Sequence, residues 1–560
     1  MVLLALGAAW LGLRVYQVRS HLLAARADLE RIIHPGAGRT DLPDLTGPVR
    51  AADAEVTAAR SAAHDPVWRA VSAVPVLGRS FVLIRQLTDI TADVVHQTGP
   101  AALAAERTLL DHRLVAHGQV DLTQLQAAQG PIGAATGAVA SAQGRIATLS
   151  TRYVPGYVAG QRDVLAAVLT RASAGLSSVS AAVHLAPPML GRDGPRRYFV
   201  AVMNQAESRA AGGFVGAYAI LRAEGGRLVR ERSGTDVDFH NPSRPVLDLG
   251  TEFAQNYDAY HARRRWAALG ASPHWPYTAR LASAMLAAQG GGPVDGVIGV
   301  DPLSMADLLG ATGPAVLGSR TIGAGNVASF VFRDEYIEFE GRDVERKQIL
   351  GGLAGAVFQR VVDAPARPAA LVRALAHAVA SGHLLLYSAH EDEQRLLHGR
   401  RLAGELPSEP GSFLSVITQN AAGNKLDSFL RRRVAYSRPA AGLGRVVVTL
   451  SDLAPPHLPP VFTARSDNPL TPPGPGETRL IVTIYCSVGA HVRTVRLDGV
   501  QVSFTPGTEI GHGTATLLVP VAPHRPAVLV ADVTDPGGPL QYRAQALAVP
   551  DQVRLDVPAR

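Results

Sequence analysis

Between residues 18 and 190, apolar side chains recur at three- to four-residue spacing in LLAARADLERI, DAEVTAARSAAH, SFVLIRQLTDITADVVHQT and RDVLAAVLTRASAGLSSVSAAVHL. That is the period of helices with one buried face. Pro35-Gly36, Pro66, Pro75 and Pro155-Gly156 punctuate the pattern, so separate Ala-rich helices forming a bundle or stalk are expected. Ahead of them, residues 2–13 are apolar and end at Arg14. This is shorter than the roughly 20 residues of a full span, but an arginine can snorkel to the interface. Residues 1–17 are therefore read as a short membrane anchor, in preference to a buried amphipathic helix.

Beyond residue 190 the pattern changes. Residues 198–203 form a short apolar run suited to a buried strand. A polar loop is expected over 204–211, carrying Glu207 and Arg209, and Gly212-Gly213 then permits a tight turn or close approach. A second strand follows over 214–222, and Gly225-Gly226 closes a hairpin. Residues 295–300 read as a strand ending at Asp301-Pro302, which opens a helix that Asp301 caps. Residues 343–361 read as a helix with Ile349, Leu350, Leu353, Val357 and Val361 on its buried side. From Val434 onward strands dominate, with Leu497-Asp498-Gly499-Val500 as a hairpin signal, and their spacing fits an Ig-like sandwich. The fold expected is multidomain α+β: an anchor (1–17), a helical stalk or bundle (18–190), a mixed α/β core (191–408) and a C-terminal β-sandwich (409–560).

Composition narrows the function. The formal charge of +7 favours anionic surfaces such as phospholipid or an acidic polymer. With 5% aromatic residues there is no obvious stacking platform, so nucleic acid is not an expected partner. Arg263-Arg264-Arg265, followed by Trp266, is either a grip for phosphate or sugar or a solvated helix face. Cys486 is the only cysteine; it lies in a strand pattern and reads as a small buried hydrophobe. No CxxC, HExxH or GxSxG motif is present. Lys347 and Lys425 are the only lysines of a chain otherwise rich in arginine. Asp343, Arg346 and Lys347 fall at i, i+3 and i+4, on one face of the first turn of their helix. There Asp343 acts as a cap, or Arg346 and Lys347 hold phosphate. The stretch Asn420 to Lys425 reads as a hydrogen-bonded turn between strands.

NQAESRAAGGFVGAYAIL, VDGVIGVDPLSMADLLGATGP and TQNAAGNKLDSF resemble, in order, motifs of the domain-of-unknown-function 4012 family, which is mostly actinobacterial. The resemblance covers roughly residues 190–560. It implies a single-pass protein of the cell membrane with a short cytoplasmic N-terminus and its bulk extracytoplasmic. Arg14 and Arg19 taken alone place the C-terminal side in the cytoplasm; a longer true N-terminus would reconcile the two.

More distantly, the layout is similar to that of the LytR-CpsA-Psr phosphotransferases, which move glycopolymers from polyprenyl pyrophosphate to the cell wall. That likeness implies Arg209, Asp343 and Arg346 as catalytic residues, with Glu207, Gly212, Gly213, Lys347 and Gln348 as ligand-binding residues. Gly212-Gly213-Phe214 stands where those enzymes carry a further arginine and aspartate. Mg²⁺ is the cofactor the enzymatic reading implies, with Glu207 in the aspartate's place; the metal ligands are otherwise unassigned. Two classes stay open. One is an enzyme transferring a polyprenyl-pyrophosphate-linked glycopolymer. The other is a non-catalytic envelope protein that binds such a lipid or an anionic wall polymer, or serves as a scaffold. Arg209 and Arg346 are expected to converge on one cleft.

Overall fold

The computed structural model describes residues 2–33, 45–109, 115–116, 118–363, 368–463 and 476–557. Pro35-Gly36, Pro365 and most of the proline-rich stretch up to residue 475 fall outside these. The chain divides into two compact units. One comprises Met1–Gly194, Gly225–Arg227 and Ala366–Ala370; the other comprises Pro195–Glu224, Leu228–Pro365 and Leu371–Arg560.

The first unit is helical: α1 (Val2–Ile33), α2 (Thr46–Ala63), α3 (Pro66–Ser72), α4 (Gly78–Leu109), α5 (Leu122–Ala147) and α6 (Gly156–Met189). Alanines at the seams let these helices approach closely. Ala25 of α1 is buried with Ala52 and Val56 of α2 and with Ala92 and Val95 of α4. The segment expected as a separate anchor is continuous with the first bundle helix, because nothing in α1 breaks it at Arg14. From Trp10 onward α1 is fastened to the start of α3. The Trp10 indole donates to Asp65 at 3.2 Å, Arg14 pairs with Asp65 at 3.0 Å, and Leu11 and Val18 pack with Trp68. Asp65 also caps α3. Helix α6 is long and apolar enough to cross a membrane; its Leu169 packs with Val139, Ala142 and Ile146 of α5.

The second unit begins with a mixed sheet. The strands it takes from this unit are β1 (Arg196–Arg209), β2 (Gly212–Glu224), β3 (Arg227–Thr235), β4 (Gly296–Val300) and β5 (Leu384–Ser388), in the order β3-β2-β1-β4-β5. β1 pairs antiparallel with β2 and parallel with β4. One apolar core holds Phe199, Tyr218, Phe253, Trp266 and Trp275, with α7 (Trp275–Ala288). Another lies under α8 (Pro302–Thr312) and α9 (Asp343–Val362). Trp266 is therefore a core residue, and Arg263 beside it is paired with Asp258; neither belongs to a solvated helix face. Asp301 caps α8 as expected, accepting from the backbone of Leu303 and Ser304. Its other oxygen meets His383 Nδ1 at 2.5 Å. Burial opposes protonation of His383, but that carboxylate holds it above the usual imidazole range.

Residues 204–209 of the expected loop are instead strand, and only Ala210-Ala211 form a turn. β1 continues to Arg209, with a bulge between Asn204 and Ser208. Asn204, Gln205 and Ser208 are buried and donate to distant partners, while Gln205 Oε1 accepts no hydrogen bond among the described residues. Gln205 donates to Asp301, and the Ser208 hydroxyl and backbone N–H donate to Asp427 at 2.6 and 2.8 Å.

The remainder of the unit holds two sheets. One contains β6 (Ser412–Asn420), β9 (Thr478–Val488), β12 (Thr505–Glu509), β13 (His512–Val521) and β15 (Leu540–Arg543), in the order β12-β13-β9-β6-β15. The other contains β7 (Leu430–Ala440), β8 (Leu443–Asp452), β10 (Val492–Leu497), β11 (Val500–Gln501), β14 (Ala527–Thr534) and β16 (Gln552–Leu555), in the order β11-β10-β14-β8-β7-β16. They share one apolar core, which takes Val416, Val446, Val448, Ile484, Leu517 and Leu529 among others. Alternate residues of β8 are buried, the period of a strand with one covered face. β6 is buried on both faces: Leu414 and Val416 enter that core, while Phe413 and Ile417 pack with Ala210, Leu406 and Tyr485. Leu497 pairs with Val500 across a turn in which Asp498 and Gly499 both have positive φ, as a two-residue hairpin demands. Cys486 is buried in β9, and burial pushes its thiol up to about 12.

Candidate functional site: a cleft lined by ion pairs

A cleft of about 530 Å³ opens in the second unit. Its walls come from elements far apart in sequence. β1 supplies Val202, Met203, Asn204 and Glu207, and β2 supplies Phe214 and Ala217. Asp236 follows β3, Met305 lies on α8, and Val331 and Tyr336 lie on the helical run between α8 and α9. The first turns of α9 add Asp343, Arg346, Lys347 and Leu350. The turn after β6 adds Gly423 and Lys425, and Pro460 and Val461 complete the wall.

The bulge in β1 directs Glu207 into the cleft. Gly213 makes that bulge possible: a Cβ there would sit 2.3 Å from the Asn204 carbonyl carbon and oxygen, closer than any side chain is tolerated. Gly212 and Gly213 are therefore needed by the β1–β2 connection and do not line the cleft. Opposite, α9 starts at Asp343, so Arg346 and Lys347 project together from its first turn. Lys425 is held by the Asn420–Asp427 turn. The Asn420 side-chain amide donates to Asn424 and Asp427, each at 3.0 Å, and its oxygen accepts from Gly423 N–H at 2.7 Å. Lys425 N–H itself donates to the Phe462 carbonyl.

Each cation in the cleft has a carboxylate partner. Lys425 pairs with Glu207 at 2.9 Å, and Lys347 pairs with Asp236. Arg346 pairs with Asp343 at 3.2 Å and with Glu335 at 3.3 Å. Tyr336 lies at the centre. Its ring is 4.6 Å from the Arg346 guanidinium and 5.2 Å from the Lys425 ammonium, within cation–π range. Its hydroxyl accepts from Asn204. Glu335 is buried behind Arg346. Burial pushes its carboxyl up to about 7, against the pull of Arg346, Lys347 and Lys425. Asp343 is the more exposed of the two carboxylates that face Arg346.

The structure brings together Glu207, Asp343, Arg346 and Lys347 of the residues singled out from sequence. It does not bring Arg209 to them. The Arg209 guanidinium donates to the carbonyls of Ala267 and Ser208 and lies over the Phe214 ring, and Arg209 is not among the residues lining the cleft. Convergence of Arg209 and Arg346 on one cleft is thus not observed. Gln348 points elsewhere on α9 and is not part of the wall. Sequence reasoning missed Tyr336, Glu335 and Asp236. Lys425 was signalled only by the scarcity of lysine: both lysines of the chain line this cleft. Among the described residues no group of three or more His, Cys, Asp or Glu is placed to hold a metal ion.

Residues 193–336 match the profile of a family described as protein of unknown function (DUF4012). The match supports that family over the stretch from β1 to Tyr336, which supplies one side of the cleft; α9 and the Lys425 turn lie beyond it. No curated protein and no solved structure matches the chain.

Proposed function

We propose that the protein is held at a membrane and that this cleft binds the anionic head of an amphiphile, of the polyprenyl-pyrophosphate class that carries envelope glycopolymers. The observation that carries the reading is the make-up of the cleft. Arg346, Lys347 and Lys425 share it with an apolar surface of Val202, Met203, Phe214, Met305 and Leu350. A phosphate oxygen can displace a carboxylate from each cation at little electrostatic cost, and the apolar wall accepts the first part of a hydrocarbon chain. A two-sheet C-terminal region of Ig-like sandwich type would then serve as a further binding or structural module.

Binding without transfer is the form we favour. Arg209 is not among the residues lining the cleft, so the full catalytic set implied by the phosphotransferase resemblance does not line it. In the enzymatic form, Glu207, Asp236 and Asp343 are the cleft carboxylates that Mg²⁺ would draw on.

The test is to extract the protein from native membranes in mild detergent and analyse bound lipid by mass spectrometry. A polyprenyl phosphate or pyrophosphate should copurify. Lys347→Ala and Lys425→Ala should each lower its occupancy roughly ten- to a hundredfold in affinity, the worth of one charge-assisted contact. Wild-type protein free of anionic lipid, with both variants unchanged, would exclude the reading. Release of lipid phosphate on adding Mg²⁺ and an acceptor would restore the enzymatic form.

A further inference from the structure

One end of the helical unit has features the cleft does not explain. α1 and α4 run in the same direction: Leu11 and Val18 pack near Phe81 and Ile84, while Ala25 packs near Ala92 and Val95. Both helices therefore begin at the same end, and the apolar sequence of residues 2–9 opens α1 there. The loop between α3 and α4 is at this end too. So is the loop between α5 and α6, since Val154 and Val158 pack with Leu83, Ile84 and Leu87 at the start of α4. Arg79, at the start of α4, donates to the Arg152 carbonyl on the second loop.

These two loops hold apolar side chains in water. Leu77 is 73% exposed, Val76 56% and Tyr157 79%. Val74 and Tyr153 are exposed as well. The loops are built rather than slack. Leu77 N–H donates to Pro75, Gly78 N–H to Val74 and Val154 N–H to Thr151. Val76 and Tyr153 each adopt a left-handed backbone, with φ of 66° and 62°. That conformation is costly for a β-branched or bulky side chain and persists only where the surroundings impose it. The nearest acids in sequence, Asp65 and Asp163, are already paired with Arg14 and Arg162, and no acidic residue occurs between Asp65 and Asp89 or between Asp121 and Asp163. The Arg79 and Arg152 guanidinium groups lie 4.9 and 4.8 Å from the Tyr153 ring. Apolar tips and tyrosines beside Arg79 and Arg152, neither of which pairs with a carboxylate among the described residues, are the chemistry of a membrane interface with anionic headgroups.

We infer that the 73–77 and 150–157 loops form a second membrane contact, in which Val76, Leu77 and Tyr157 enter the headgroup boundary of an anionic leaflet beside the start of α1. A lone helix would leave the unit free to swivel; a second contact fixes which end meets the lipid. The inference rests on the proposed attachment to a membrane and is independent of what occupies the cleft.

The test uses the full chain in vesicles of phosphatidylcholine with or without phosphatidylglycerol. Leu77→Cys is labelled with an environment-sensitive thiol dye, and Val237→Cys in the second unit, also exposed, is the control. The native Cys486 is buried and its thiol pushed up to about 12, so it does not compete for the dye. The label at 77 should shift to the blue and be quenched several-fold by a lipid-borne quencher in anionic vesicles, and the label at 237 should not. Arg79→Gln with Arg152→Gln should reduce quenching at 77 towards that in neutral vesicles. A label at 77 as water-exposed as the one at 237 in both vesicle types would overturn the inference. So would a blue shift without vesicles that grows with protein concentration, which would make this end a contact between copies.

Discussion

Glu335 is the residue whose environment departs furthest from what its type would suggest. It is a carboxylate with no exposed surface, paired to Arg346 yet pushed up to about 7 by burial. The ordinary value is 4.5, so the folded protein holds a proton that the unfolded chain releases between the two. The stabilisation is complete below pH 4.5 and is lost as pH rises through about 7. Asp427, pushed up to about 6 by burial, acts in the same direction. Urea midpoints should therefore fall between pH 5 and pH 7.5, and Glu335→Gln should flatten the upper part of that fall. A slope unchanged in the variant would show that Glu335 titrates normally. None of this was legible in DEYIEF. Burial by a helix from elsewhere in the chain is not a property of the local sequence. Asp301 is the opposite case. Its cap was legible because the carboxylate, the following proline and the start of the apolar period are adjacent in sequence; its second bond, to His383, was not.

At the scale of elements, the instructive error lies at β1. Polar letters over 204–211 suggested a loop, since unpaired polar groups are costly to bury. The chain buries them by providing partners from far away: Asp301 for Gln205, Asp427 for Ser208 and Tyr336 for Asn204. The sequence carries both halves of each bond but not their meeting. The α9 turn was better specified, because i, i+3 and i+4 neighbours share a face wherever the helix packs.

Two outcomes follow for these elements. Gly213→Ala would press a Cβ against the Asn204 main chain, which has no side-chain freedom with which to yield. It should cost on the order of 2 kcal/mol or more and weaken cleft binding through Asn204 and Phe214. Asp427→Ala would strand the Ser208 N–H, the Ser208 hydroxyl and an Asn420 donor in the interior, at about 1–3 kcal/mol each. Asp427→Asn keeps one acceptor and should cost less. Chemical denaturation of the three variants checks both; equal costs for Asp427→Ala and Asp427→Asn would contradict the acceptor role.

At the scale of the molecule, the chain order suggested an α/β core ending near 408 and a separable β-rich domain after it. The change from mixed to purely strand patterning is real, but it does not mark a boundary in the packing. Glu509 at the end of β12 is buried, and its two oxygens accept from Ser272 at 2.5 Å and from Tyr257 and Tyr485, each at 2.6 Å. Ser272 and Tyr257 belong to the earlier half. Arg543, on β15, donates to the carbonyls of Glu405, Pro273 and Gly404, and burial lowers its guanidinium to about 10. Cutting between 408 and 409 would leave Glu509 with one of its three donors and Arg543 with none of these three acceptors. It would also bare Phe413 and Ile417 on the outer face of β6, where they now pack with Ala210. A fragment of residues 409–560 should therefore fail to fold cooperatively, showing little near-UV dichroism and strong binding of hydrophobic dyes. In the full chain, Glu509→Gln should be tolerated better than Glu509→Ala, since an amide oxygen still accepts from two hydroxyls, and both should lower the transition that reports the α/β core as well as the one that reports the sheets. A 409–560 fragment with a sharp, reversible unfolding transition of its own would show that the two halves are separable and that the Glu509 and Arg543 contacts are incidental to folding.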